Sequence, residues 1–102
     1  MIGASVPAWA SNNSSTDGSS AEYLPATNEF RVCDTARDGS AVYVDWQANG
    51  QSGRFQHNLG DGNCRNSGTI AAITNGGTVR FRSCENINNG FDDCDTWEST
   101  TG

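Results

Sequence analysis

Apolar and polar residues alternate with a period of two along most of the chain after residue 29, and this pattern predicts β-strands. The predicted strands cover residues 30–35, 41–46, 53–59, 69–74, 78–84 and 95–100. Asn49-Gly50 lies between the second and third of them and predicts a tight hairpin, because both residues tolerate positive φ. No stretch has helical periodicity. We therefore expect an all-β fold, a small antiparallel β-sandwich of about six strands.

The alternation also assigns side chains to the two faces of each strand. Tyr43 lies opposite the valines of its strand, and Arg80 and Arg82 lie opposite Val79 and Phe81. These three residues are therefore predicted to face outward. The predicted core consists of Phe30, Val32, Val42, Val44, Trp46, Ile70, Val79 and Phe81, with Phe55 and Trp97 at its margin.

The chain before residue 30 has a different character. Residues 1–10 end in Ala8-Trp9-Ala10, which matches the small-residue pattern of a signal-peptidase site, and we interpret them as the remnant of a signal peptide. Residues 11–20 are rich in Ser and Asn, and we expect residues 11–29 to form a flexible or extended N-terminal segment. The β-sandwich domain is predicted to occupy residues 30–102.

Four cysteines in a short chain with few apolar residues predict two disulfide bonds and export from the cell. Their spacing lacks the close ligand pairs of a zinc site. Three pairings are open to sequence reasoning. We favour Cys33–Cys64 and Cys84–Cys94, because the second bond closes a loop that has almost no apolar residues of its own.

The charge of the chain excludes several partner classes. Twelve acidic residues outnumber six basic ones, all of them Arg, and the formal net charge is −6. This balance argues against a nucleic-acid-binding surface. No apolar run is long enough to cross a membrane. We expect neither nucleic acid nor a membrane as a partner.

Few residues carry catalytic chemistry. The single histidine, His57, alternates with Phe55 and Leu59 on a strand and is interpreted as a partly buried strand residue. The carboxylates after residue 84 lie on a loop and an edge strand, so we predict no enzyme activity and no catalytic residue. No cofactor is expected. The acidic loop 85–95 leaves a weak alternative of calcium binding, although its register does not fit an EF-hand.

Several exposed aromatic and basic residues are candidates for binding a partner. Tyr43, Phe91 and Trp97 offer ring surfaces, and Arg80 and Arg82, joined by Arg31, offer a basic stripe on an acidic protein. The alternative is that these residues form cross-strand pairs, such as one of an arginine with Asp45. In the N-terminal segment, Tyr23 and Leu24 are the candidates for a part that orders on a partner. The predicted partner-binding set is Tyr23, Leu24, Tyr43, Arg80, Arg82, Phe91 and Trp97.

The motifs of residues 30–98 resemble the small secreted two-disulfide β-proteins of Streptomyces and related actinobacteria. The resemblance lies in Val32-Cys33-Asp34, Asp38-Gly39, Ala41-Val42-Tyr43-Val44, Val79 to Asn86 and Cys94-x-x-Trp97. Most of these proteins have no assigned activity. Some are similar in architecture to adaptor subunits of secreted toxin assemblies, and others to proteinaceous α-amylase inhibitors, whose Trp-Arg-Tyr turn this chain lacks.

We therefore expect a secreted, non-catalytic protein-interaction module, of the kind that serves as an adaptor in an extracellular toxin-type complex. Its partner would be another secreted protein, and the chain alone would be a monomer. One alternative is an inhibitor of an extracellular hydrolase, with a protruding loop at 85–94 or 60–66. The other is a carbohydrate-binding module that uses Trp97.

Overall fold

The computed structural model describes residues 12–36, 40–87 and 90–102, and over these residues the chain forms nine strands and no helix. The strands are β1 (Asn13–Ser15), β2 (Ser19–Leu24), β3 (Glu29–Asp34), β4 (Ala41–Ala48), β5 (Gln51–His57), β6 (Cys64–Asn66), β7 (Thr78–Asn86), β8 (Asp93–Cys94) and β9 (Glu98–Thr101). They form two antiparallel sheets around one hydrophobic core, which confirms the predicted all-β fold. None of the described segments is a helix of the length and apolarity that crossing a membrane requires.

The four-stranded sheet has the order β1-β2-β3-β6, so two strands that precede residue 30, β1 and β2, belong to it. Residues 12–29 are thus built into the sandwich and are not the separate flexible or extended segment that the sequence predicts, because β2 pairs with β3 along its whole length and buries Ala21 and Tyr23. Where this sheet contacts β7, two buried positions are occupied by small polar residues, Ser14 and Ser19. Ser19 Oγ lies 2.7 Å from Ser83 Oγ, and the Ser83 amide donates to Ser14 Oγ at 2.8 Å. The predicted signal-peptide remnant, residues 1–10, lies outside the described residues.

The five-stranded sheet has the order β5-β4-β7, with β8 and β9 both paired to the far edge of β7. The predicted hairpin is confirmed, since β4 and β5 join at Asn49-Gly50 with φ of 50° and 74°. This turn places Ala48 opposite Gln51 and sets the register of every following pair. The edge strand β5 and the β8–β9 side therefore bound a sheet whose centre is β4 and β7.

An aromatic row connects the two sheets through the core. The ring centroids of Tyr23 and Phe30 lie 5.3 Å apart, and those of Phe30 and Phe81 lie 5.2 Å apart. The predicted core is confirmed for six of its eight residues, while Trp46 and Ile70 are only partly buried and pack against it. The buried cluster comprises Ala21, Tyr23, Phe30, Val32, Val42, Val44, Ala48, Ile73, Val79 and Phe81.

The two disulfides are Cys33–Cys64 and Cys84–Cys94, as favoured from the sequence. Each joins directly opposed residues of neighbouring strands, β3 with β6 and β8 with β7. The strand predicted at 69–74 is wrong. Residues 69–74 contain a turn at 71–72 and no strand, and the backbone amide of Ile73 donates to the Ile70 carbonyl at 3.1 Å, while the Ile73 side chain lies in the core.

Candidate interaction surface

The outer face of the five-stranded sheet brings together residues from four separate parts of the chain. Val42 and Val44 of β4 point into the core, so the alternating residues Tyr43, Asp45 and Gln47 point outward. The same alternation holds on β7 around Phe81. We define the arginine–tryptophan face as the outward side chains of this sheet, namely Tyr43, Asp45, Gln47, Arg54, Arg80, Arg82 and Trp97.

Trp97 contacts two arginines of β7. The guanidinium carbon of Arg82 lies 4.7 Å from the centroid of the indole, and that of Arg80 lies 5.1 Å from it. The register of β9 on β7 pairs Glu98 with Phe81, which brings the preceding Trp97 beside these side chains. Exposed contacts of this cation–π type each contribute about 0.5–1 kcal/mol. Three of the predicted partner-binding residues thus form one cluster.

Asp45 links the two sides of the face. Its carboxylate accepts from Arg54 Nε at 2.7 Å and from an Arg82 terminal nitrogen at 3.4 Å. The predicted alternative of a cross-strand pair with Asp45 is thereby confirmed, and it coexists with the Trp97 cluster. Because Arg54 is half exposed, we assign this pairing a positioning role rather than a large share of the stability.

Tyr43 is buried, which corrects its prediction as an exposed ring. Only 1% of the residue is accessible, because the Arg54 guanidinium lies 3.9 Å above the ring and Cys94 Sγ lies 3.8 Å from the hydroxyl. The phenol donates a hydrogen bond to the Asp92 carboxylate. Burial, and then this bond, raises the pKa of Tyr43 to about 12. Tyr43 therefore lies beneath the Arg54 side chain of this face, and its hydrogen bond to Asp92 holds the chain after residue 90 against the sheet.

Phe91 directly precedes Asp92, and its side chain is 98% exposed. It lies between the end of β7 at Asn86 and the start of β8 at Asp93, and the Cys84–Cys94 disulfide joins these two strands. Leu59, 48% accessible, is the other large apolar side chain exposed among residues 12–36, 40–87 and 90–102. A fully exposed aromatic side chain on a tethered loop is a common form of interface anchor.

The remaining predicted partner-binding residues lie elsewhere. Tyr23 is 1% accessible and hydrogen-bonds through its hydroxyl to Asn28 at 2.8 Å, so it belongs to the core and not to a docking segment. Leu24, next to it, is half-buried. Arg31 lies on β3 of the other sheet and does not extend the stripe of Arg80 and Arg82. The third arginine of the face is Arg54, which the sequence analysis did not select.

The register of the hairpin predicts that Arg54 belongs to this face. Counting outward from the Asn49-Gly50 turn pairs Ala48 with Gln51 and, three pairs further, Asp45 with Arg54. An acidic and a basic residue directly opposite each other on one sheet face form a favourable cross-strand pair. The turn signal and the charge pattern together are therefore sufficient to predict that Arg54 pairs with Asp45 on this face.

The remaining titratable candidates are His57 and the acidic loop 85–95. The His57 ring is buried, with Nε2 2.9 Å from the Val32 carbonyl oxygen, as expected of a strand histidine. Two carboxylates of 85–95 have separate partners, since Asp92 binds Tyr43 and Asp95 accepts from Ser14. Within the described ranges no three His, Cys, Asp or Glu side chains come together as metal ligands. Residues 88 and 89 of that loop lie outside those ranges.

Comparison of the chain with protein-family models, with curated proteins and with solved structures returned no match.

Proposed function

We propose that this protein is a secreted, non-catalytic protein-interaction module that binds another secreted protein through the arginine–tryptophan face and Phe91. The observation that carries the proposal is the cluster of Trp97 with Arg80 and Arg82 on the open side of a sheet. Tryptophan, arginine and other aromatic residues are enriched where binding energy is concentrated in protein interfaces. Such a cluster on a rigid, disulfide-bonded sheet is preorganised for binding.

Secretion is supported by the covalent chemistry. Both disulfides join neighbouring strands, and such bonds persist in oxidising compartments. The adaptor role is supported by the resemblance of residues 30–98 to small secreted actinobacterial proteins. An adaptor needs a stable scaffold and one docking surface, and the described sandwich with its arginine–tryptophan face provides both.

The test uses the full chain as bait for the secreted proteins of its own source, with crosslinking and quantitative mass spectrometry. Trp97→Ala and Arg80→Ala are the face variants. Arg31→Ala and Leu59→Ala are the matched controls, since they remove an exposed arginine and an exposed apolar side chain away from the face. We expect Trp97→Ala to reduce recovery of the partner by about thirtyfold or more, the loss typical of an interface hot spot. Equal recovery by face variants and controls would contradict the proposal.

One observation favours a second candidate, an inhibitor of an extracellular hydrolase. Phe91 is 98% exposed in a segment closed by Cys84–Cys94, and an inhibitor of this kind needs such an exposed side chain to insert into an active-site cleft. A panel of secreted hydrolases, assayed with the native protein and with Phe91→Ser, distinguishes the two functions. Inhibition that Phe91→Ser abolishes and Trp97→Ala leaves unchanged would favour the inhibitor.

A further inference from the structure

We infer that the partner presents an extended acidic segment to the arginine–tryptophan face, with its carboxylates bound by Arg80 and Arg82. This inference rests on the proposed function, because it specifies the chemistry of the molecule that the same face binds. Its basis is the distribution of charge, the unequal engagement of Arg54, Arg80 and Arg82, and the spacing of the last two along β7.

The charge of the face is opposite to that of the protein. The chain has a formal net charge of −6, yet three of its six arginines lie on this face. Two carboxylates accompany them, and both are already engaged: Asp45 by arginines and Asp92 by the Tyr43 hydroxyl. An acidic partner is therefore repelled by most of the surface and attracted here, which favours one orientation of docking.

The three guanidinium groups are not equally committed within the protein. Arg54 donates to Asp45 at 2.7 and 3.3 Å and also covers Tyr43, so it is held in place. Arg82 reaches the same carboxylate only at 3.4 Å, which is long for a charge-assisted hydrogen bond. Arg82 Nε is buried and has no hydrogen-bond acceptor. Nε is out of reach of a ligand, but the side chain is 32% exposed and its one ion-pair contact is long, so the terminal nitrogens of Arg82 are the donors that an additional carboxylate meets.

Arg80 is the principal anchor. It is exposed, and the polar contact that positions it is with an uncharged group, the Gln47 side-chain oxygen at 3.2 Å. Its guanidinium also lies against the Trp97 ring, which orients the planar fork without using its charge in an ion pair. A carboxylate that approaches Arg80 thus replaces a weak neutral contact with a charge-assisted bidentate one.

The spacing of the two arginines matches an extended ligand. Arg80 and Arg82 are alternate residues of β7, so they lie about 6.6 Å apart along the strand. Alternate residues of an extended peptide have the same separation. Acidic side chains at every second position would therefore meet both arginines, while a residue beside them covers Trp97. A hollow lined by Trp97, Gln47 and Ser52 lies alongside and admits that neighbouring side chain.

The test is an NMR titration of the full ¹⁵N-labelled protein, followed at the arginine Nε–H and tryptophan indole signals. The probe is an alternating threonine–glutamate peptide with blocked ends, and its control is the threonine–glutamine peptide. We expect the glutamate peptide to shift the signals of Arg80, Arg82 and Trp97, and the glutamine peptide to leave them unchanged. Raising the salt from about 0.05 to about 0.5 M should weaken the binding severalfold through screening.

Variants make the expectation specific. Arg80→Gln should weaken glutamate-peptide binding by about tenfold, the usual loss for one hydrogen bond to a charged group, whereas Arg31→Gln should leave it unchanged. Both substitutions are at exposed positions, so the folded state is retained. The inference is overturned if millimolar glutamate peptide shifts nothing, if the glutamine peptide shifts the same signals, or if inorganic phosphate of equal charge binds as well as the peptide.

The outcome is separable from that of the proposed function. If Trp97→Ala abolishes recovery of the natural partner while the glutamate peptide fails to bind, the interaction module stands and the acidic-segment inference fails. If the face variants recover the partner as well as Arg31→Ala does, the proposed function fails whatever the peptide does.

Discussion

Truncation of Tyr23 provides a direct test of whether the chain before residue 30 is part of the sandwich. Tyr23→Ala removes a side chain that is 1% accessible and packs against Phe30 at 5.3 Å between ring centroids. Deleting a buried aromatic side chain costs about 3–5 kcal/mol, partly through lost burial and partly through the cavity that remains. If residues 12–29 were a flexible segment, the same change would alter stability by less than about 0.5 kcal/mol.

Two further variants separate the contributions. Tyr23→Phe keeps the ring and removes the hydroxyl that donates to Asn28 at 2.8 Å, so we expect a loss of about 1 kcal/mol. Phe91→Ala deletes an aromatic side chain that is 98% exposed, and we expect almost no change in stability. The three variants thus rank by burial and not by residue type.

Equilibrium urea unfolding, followed by tryptophan fluorescence, measures these differences. With an m-value of about 1–3 kcal/mol/M, Tyr23→Ala should lower the unfolding midpoint by more than 1 M. The disulfides must remain oxidised, because reduction would change the unfolded reference state. If Tyr23→Ala and Phe91→Ala had the same midpoint, the packing of β2 described above would be refuted.

The other predictions concern titration and packing within the same sandwich. Because the folded state holds the pKa of Tyr43 at about 12 and the unfolded value is 10.0, stability should decline by about 2 kcal/mol as the pH rises from 10 to 12, and Tyr43→Phe should remove this part of the alkaline loss. Burial, and then the nearby charge of Asp95, raises the pKa of Glu98 above 4.5, so the folded state binds the proton more tightly. The unfolding free energy should therefore fall as the pH rises through and above 4.5, and Glu98→Gln, compared with the wild type by thermal unfolding, should be the more stable protein at pH 7 and similar to it at pH 3. Finally, a Cβ at Gly53 would lie 2.5 Å from Cζ2 of Trp46, so Gly53→Ala should cost about 1–3 kcal/mol in urea unfolding, whereas an unchanged midpoint would show that the indole moves aside freely.

Much of the interaction surface follows from local sequence rules. The alternation on β7 places Arg80 and Arg82 on the side opposite Phe81, and the Asn49-Gly50 turn sets the partner of Asp45. These features depend only on the two-residue period of a strand and on the length of a tight turn. Every residue from Gln51 to His57 has its partner assigned once the turn is known.

What the alternation cannot predict is what covers the second face of a strand. Tyr43 lies opposite Val42 and Val44, and yet it is as buried as they are. The cover comes from Arg54, one strand away, and from the Asp92–Cys94 segment, which is distant in sequence. Burial on the outer face is therefore a property of the assembled sheet and its loop.

The sequence by itself determined the all-β class, the central hairpin and the large apolar residues of the core, because period two, turn chemistry and hydrophobicity act between near neighbours. Only the tertiary structure decided that β1 and β2 belong to the sandwich. Ser14 and Ser19 are small and polar, and they become favourable core residues only when Ser83 of β7 and Asp95, which directly follows β8, supply the partners of their hydrogen bonds. It also decided that Trp97 meets Arg80 and Arg82, because that contact requires β9 to pair with β7 across the folded chain.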